Sequence, residues 1–159
     1  MARPAPHALR DYPHSRTLGT RWRDLDPYGH MNNVVQYELF DTIVNAWLIE
    51  HGALDIQHSP VIGLVVETGC SYFTTLTYPE AVTAALRVAH VGRSSVRYEV
   101  ALFARGSASA AAQGHFVHVY VDRESRRPVA ELPAALRLAL EPLRVALARE
   151  GEPLASPAP

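Results

Sequence analysis

Between residues 34 and 50 the chain repeats its large apolar residues at helical spacing, with Leu39, Phe40, Ile43, Val44, Trp47 and Leu48 on one face. A helix of that length is roughly 25 Å long, and so wide an apolar face has to be laid against an equally apolar layer. Asn32 or Asn33 offers an N-cap, Gln36 stands three residues after Asn33 as in a capping box, and Gly52 supplies a stop. The covering layer follows in the sequence. Residues 61–74 are β-branched and largely apolar, with a bend expected at Gly63 or Gly69. Residues 81–91, 94–103 and 110–122 then read as three further strands, the middle one alternating Val96, Tyr98, Val100 and Leu102 with Ser95, Arg97, Glu99 and Ala101. Gly92 between the first two of these marks an antiparallel hairpin. A short strand is expected at residues 17–23, and a final helix at residues 133–147, broken by Pro142. The order predicts an α+β fold: one long helix on a curved antiparallel sheet of about five strands, plus a C-terminal helix. The opposite sheet face would be left bare, which predicts a homo-oligomer, a homodimer or homotetramer.

At 159 residues the chain holds one core. The expected division is a flexible segment at residues 1–16, a single domain at 17–150 and a disordered tail at 151–159, where three prolines and little apolar content gather. Fifteen basic residues face sixteen acidic ones, a balance that excludes binding to nucleic-acid backbone as the main activity. Every basic residue is Arg, so neither a Schiff-base lysine nor a lysine-bearing phosphate loop is available. The one cysteine, Cys70, has no intrachain partner and reads as a small core residue in a reducing compartment. The first sixteen residues lack the apolar run of a signal peptide, and no stretch reaches the roughly 20 apolar residues of a membrane span. The expectation is a cytoplasmic protein without a membrane partner.

Chemistry concentrates in Arg23-Asp24-Leu25-Asp26-Pro27-Tyr28-Gly29-His30-Met31-Asn32-Asn33. Two carboxylates, an imidazole, two carboxamides and a flexible glycine stand immediately before a helix N-terminus. The exposed N–H groups and dipole of such a terminus favour the oxyanion that forms when a carbonyl is attacked. A carboxylate a few residues upstream can turn back to the same spot as base or nucleophile. The same residue types also serve as turn formers and caps. Glu67, in an apolar strand, is a further candidate to face the site. His115 and His118 look like a metal pair, but an odd spacing on a strand sends them to opposite faces, and no metal site is expected.

The run Asp24-x-Asp26-x-x-Gly29-His30-Met31-Asn32-Asn33, entering a helix with Phe40, Asp41 and Trp47, resembles the acyl-CoA thioesterases of the 4-hydroxybenzoyl-CoA thioesterase type, which have the hotdog fold. The resemblance extends through Gly92-Arg93-Ser94-Ser95 and covers about residues 17–129. It implies a hydrolase that cleaves an acyl-CoA thioester to a carboxylic acid and coenzyme A, with no cofactor beyond the coenzyme A of the substrate. Asp26 would attack the thioester carbonyl or activate a water, and the backbone N–H of Asn33 would polarise the carbonyl oxygen. His30 and Asn32 would position these groups. Gln36, Tyr37 and Glu67 would border the acyl group, and Arg93, Ser94 and Ser95 would lie along the coenzyme A arm, where an Arg can pair with phosphate. Many relatives carry Tyr where this chain has Gln36. Tyr28 stands where plant-like relatives carry a catalytic Asn. Two alternatives remain, a hydratase or dehydratase on the same scaffold and a module that binds acyl-CoA without turnover.

Overall fold

The long helix forms where the apolar period places it. In the computed structural model, which describes residues 3–146, helix α1 spans Asn33–Glu50 and buries Gln36, Phe40, Ile43, Val44, Trp47 and Leu48. Asn32 is its N-cap, the side-chain oxygen accepting from Val34 N at 3.0 Å. No capping box pairs Gln36 with Asn33; with Asn32 as cap, the Gln36 amide reaches back to Met31 O instead. Gly52 follows the C-cap with φ of 69°, a left-handed conformation that ends the helix. Phe40, Ile43 and Val44 are essentially sealed from water, each burial stabilising the fold by about 1.5–3 kcal/mol.

Five strands follow the order β1-β3-β4-β5-β2 in one fully antiparallel sheet. They are β1 His14–Leu18, β2 Val61–Tyr72, β3 Val82–Val91, β4 Ser95–Phe103 and β5 Ala112–Asp122. The inner face presents Leu86, Val88, Val96, Tyr98, Val100 and Leu102 to α1, and these form one core. A short helix α2, Ala134–Leu140, closes one side, its Ala139 carbonyl accepting the Trp47 indole N–H at 2.8 Å. Pro142 then converts the chain to a 3-10 turn over Glu141–Leu143. The end of the expected helix at residue 147 and the tail at 151–159 lie outside the described residues. None of the described helices is long and apolar enough to cross a membrane.

Three expectations are corrected. The first strand is His14–Leu18, not residues 17–23; Trp22–Asp24 is a 3-10 turn instead, its start set by Asp24 accepting from Arg21 N. The distortion in β2 is not at Gly63 or Gly69 but at Val66, where the pairing with β5 slips between Val65 and Glu67. Residues 3–13 do not hang free, and they cover part of the outer sheet face that was expected to be bare. His7 O accepts from Ala110 N at 2.9 Å, Leu9 N donates to Ala108 O at 2.9 Å, and His7 N donates to the Gln113 side chain at 2.6 Å. Beneath this strap Tyr12 packs with Ala85, Ala101, Phe103 and Ala110 in a second, smaller cluster. The rest of the outer face is polar: Arg87 and Glu99 form a largely buried ion pair at 2.6 Å, with Arg97, His115 and Glu67 alongside.

Candidate active site

The segment from Asp24 to Asn33 is a loop tied at both ends and in its middle. Asp24, only 2% exposed, accepts from Arg21 N at 2.7 Å and Arg21 Nε at 2.9 Å, while its carbonyl accepts from Asn32 N at 2.9 Å. Its carboxylate is therefore structural. Between those ties the chain makes a tight turn: Gly29 N donates to Asp26 O at 3.1 Å and Asp26 N to His30 O at 2.7 Å. The turn needs φ of 78° at Gly29, which a side chain would strain. Met31 N donates to Leu76 O at 2.8 Å and Thr77 Oγ1 to Gly29 O at 3.2 Å, welding the loop to the segment after β2.

Asp26 is held by one oxygen. Oδ1 accepts from Tyr28 N at 2.8 Å and His30 N at 3.1 Å, whereas Oδ2 makes no hydrogen bond among the described residues. Asp26, His30, Met31, Asn33, Gln36, Tyr72, Thr74, Thr75 and Leu76 border one cleft of about 250 Å³. Asn33 opens α1, and among the described residues its N–H has no acceptor. That donor and the positive end of the helix dipole thus meet a half-free carboxylate in one cleft. Asn32 stands one residue away as the cap that fixes the helix start. Gln36 is 6% exposed, with Nε2 on Met31 O at 3.3 Å and Oε1 unpartnered. Tyr72, 37% exposed, stands at the edge of the cleft, where partial desolvation holds its hydroxyl above the ordinary tyrosine value.

Other expected residues lie elsewhere. Tyr37 packs edge-on against Phe40 and Phe116, with ring centroids 5.8 and 6.1 Å away, and does not border the cleft. Glu67 points to the outer sheet face, 3.0 Å from His115 Nε2. Arg93, Ser94 and Ser95 form the β3–β4 turn at the far end of the sheet. Ser95 is level with Val119 and Leu64, and Tyr72 lies seven paired positions further along β5, roughly 23 Å. His115 and His118 do face opposite ways: His118 is buried on the inner face, where desolvation pulls its pKa down against the opposing charge of Asp41. Burial likewise raises the Cys70 thiol, which packs against the core. Tyr72, Thr74, Thr75 and Leu76 were not expected in the site. Only tertiary contact brings them there, through the Met31–Leu76 bond, so no local spacing could have marked them.

A larger hollow of about 390 Å³ opens on the outer face, bordered by His7, Gly69, Arg97, Glu99, Gln113 and His115 among others. Its polar groups satisfy one another: Glu67 joins Arg97 at 3.6 Å and His115 at 3.0 Å, and both ends of the Gln113 amide are bonded. The cleft at Asp26 instead holds an unused acceptor, Asp26 Oδ2, and an unused donor, Asn33 N–H, the arrangement a reacting carbonyl requires.

A long helix wrapped by one antiparallel sheet, with a carboxylate loop at its N-terminus, is the hotdog arrangement that the resemblance implied. Residues 20–140 match the sequence profile of the thioesterase-like superfamily, and the chain belongs to it. The PA5185 protein of Pseudomonas aeruginosa is 50% identical, covering 91% of this chain and 100% of its own, with a TM-score of 0.86. A Thermus thermophilus thioesterase crystallised with coenzyme A and Zn is 29% identical over 91% of this chain and 100% of its own, at a TM-score of 0.69. A 1,4-dihydroxy-2-naphthoyl-CoA thioesterase from Synechocystis shares the fold at 15% identity, covering 79% of this chain and 93% of its own, with a TM-score of 0.72. No curated protein matches the chain.

Proposed function

We propose that the protein hydrolyses an acyl-CoA thioester to a carboxylic acid and coenzyme A, with Asp26 as base or nucleophile. The observation that carries this reading is the Asp26 carboxylate, tied through Oδ1 and free at Oδ2, in the same cleft as the unpaired Asn33 N–H. A thioester carbonyl placed there directs its oxygen to Asn33 N–H, where charge develops in the transition state, and its carbon to Asp26 Oδ2. The His30 backbone keeps the carboxylate in place, and Asn32 keeps the helix start in place. The reaction so written uses no metal or redox cofactor.

The site is completed in a homodimer. Edge strand β2 leaves one side unpaired and exposes Leu64, Val65 and Val66 by 37, 48 and 61%, an apolar edge of the kind natural sheets cover. Antiparallel pairing of two such edges brings the turn of one subunit towards the cleft of the other. Arg93 of the partner subunit then approaches the coenzyme A phosphates, whereas the same chain's Arg93 stands roughly 23 Å along the sheet from Tyr72. A single half-buried free thiol suits the reducing cytoplasm.

The test is thiol release from a panel of short, long and aromatic acyl-CoA thioesters. Release from at least one is expected; tight binding without release would make the protein a binding module, and altered unsaturation of the acyl chain would make it a hydratase or dehydratase.

A further inference from the structure

The turn between β4 and β5 stands at the same end of the sheet as the Asp26 cleft. Leu102 is level with Ala112, and Ala112 with Tyr72 at the border of that cleft, so Leu102 lies two strands, roughly 10 Å, across the sheet from Tyr72. Arg105 follows three residues later, in a tight turn that Gly106 completes with φ of 75°. Arg105 is exposed, and its guanidinium makes no hydrogen bond or ion pair among the described residues.

Arg105 borders a shallow hollow of about 40 Å³ with Thr75, Leu76, Thr77 and Glu80. Thr75 and Leu76 border the Asp26 cleft as well, so the two depressions share one wall. Leu76 is buried, with its carbonyl on Met31 N, whereas Thr75 is exposed and its hydroxyl makes no hydrogen bond among the described residues. A ligand leaving the cleft over this wall meets first a free hydroxyl and then a free guanidinium. Other cations at this end are engaged: Arg21 with Asp24 and Glu38, Arg3 with the Tyr72 carbonyl and the Phe73 ring. Arg23 borders neither depression. Glu80 makes no ion pair with Arg105 among the described residues, and an exposed pair of that kind competes weakly with a phosphate held by two N–H donors.

The substrate read for the cleft sets the distance. The pantetheine arm of an acyl-CoA, when extended, carries the first phosphorus roughly 15 Å from the sulfur. The step across the sheet from the Tyr72 border to Leu102 covers roughly 10 Å of that span, and the turn and the Arg105 side chain cover the rest. Resting on the thioesterase reading, we infer that Arg105 is a substrate-binding residue: within its own subunit it holds the diphosphate of coenzyme A, with the pantetheine arm laid over Thr75. The ribose 3′-phosphate, further out, is left to Arg93 of the partner subunit. Arg105 touches neither the acyl group nor the reacting carbonyl, so it binds ground state and transition state alike, and its loss acts on KM and not on kcat.

The test is Arg105→Gln in the full chain, checked to unfold at the parent's temperature. Three thioesters of the acyl group turned over fastest by the parent are compared: the acyl-CoA, its 3′-dephospho form, and the acyl-pantetheine, which carries no phosphate. The expected result is a KM raised about tenfold or more for the first two, a kcat within about twofold, and unchanged kinetics with the third. Arg105→Lys, which keeps the charge, should recover part of the loss. A KM raised equally for all three would place Arg105 on the acyl group or in the framework. A rise that vanishes with the 3′-dephospho form would move it to the ribose phosphate, and an unchanged KM throughout would leave it no role; each overturns the inference. The dissociation constant of free coenzyme A, titrated on the same proteins, should weaken by the same factor, and that of pantetheine should not change. A parent that releases no thiol overturns the thioesterase reading itself, while the titration still decides on Arg105.

Discussion

The role proposed for Asp26 rests on an asymmetry in its hydrogen bonds. Two backbone donors on Oδ1 fix the rotamer while leaving Oδ2 to the cleft, so the side chain is held without being consumed. Asp24, two residues earlier, is the contrast: both its oxygens are taken by Arg21, and its burial makes it part of the frame. Residue identity alone did not separate these two carboxylates; their hydrogen bonds do. His118 illustrates a different cost. Its imidazole lies among Tyr98, Phe116 and Tyr120, and burial holds its pKa below the ordinary value, Asp41 opposing. The unfolded chain takes up a proton near pH 6.5 while the folded chain requires more acid. In that window the unfolded form binds more protons, so stability rises with pH, the penalty starting below the unfolded value and growing until the folded one is reached. His7 and His14 are lowered in the same direction. Urea unfolding is expected to show lower stability at about pH 5.5 than at about pH 7.5, with a shallower slope in His118→Phe. An unchanged slope would show that His118 is not a source of it.

Among the elements, α1 carries both the core and the proposed oxyanion donor, so its cap has two consequences. Asn32→Ala removes the bond to Val34 N and is expected to cost about 1 kcal/mol of stability. It should also lower kcat, because the first turn that presents Asn33 N–H frays. Thermal unfolding and turnover measured on the same sample check both; a stability loss with full activity would show that Asn33 N–H is not needed. The legibility of each element followed its periodicity. Helix α1 and strands β4 and β5 were readable because burial repeats at about 3.6 or 2 residues along much of their length, and β3 was readable from its alternating side-chain types although it is buried on both faces from Ala84 to Val88. Strand β1 was misplaced because His14–Leu18 pairs only with β3 and alternates half-buried with exposed positions, with a single large aliphatic, Leu18. The strap at residues 3–13 was illegible for a related reason: its order comes from bonds to residues 108–113, a hundred positions away. In the site, the loop and its cap were visible in sequence as a dense polar run before a helix. The far wall from Tyr72 to Leu76, and the sheet end on which Arg93 to Ser95 stand, depend on register.

At the scale of the whole molecule, one chain holds the carboxylate and the oxyanion donor in a cleft distant from its own Arg93 turn. If two subunits share each site, variants damaged in different parts should complement. Mixing equal amounts of Asp26→Asn and Arg93→Glu chains makes half of the dimers hybrid, each with one site that has an intact Asp26 and an intact Arg93 across the interface, so thiol release is expected to recover towards about a quarter of the parent rate. No recovery would place both groups in one subunit. The Arg87–Glu99 pair, largely buried under the N-terminal strap, anchors the opposite face. Arg87→Ala leaves Glu99 without its closest partner and is expected to cost about 3–5 kcal/mol, read as a lower urea midpoint; a loss below about 1 kcal/mol would match an exposed pair instead. The central claim is that Asp26 is the reacting carboxylate. Its most direct test is Asp26→Asn, which keeps the shape and removes the charge, assayed for thiol release after confirming that the variant unfolds at the parent's temperature. The account predicts a fall in kcat of about a hundredfold or more, and a folded variant that retains activity within a few-fold of the parent would contradict it.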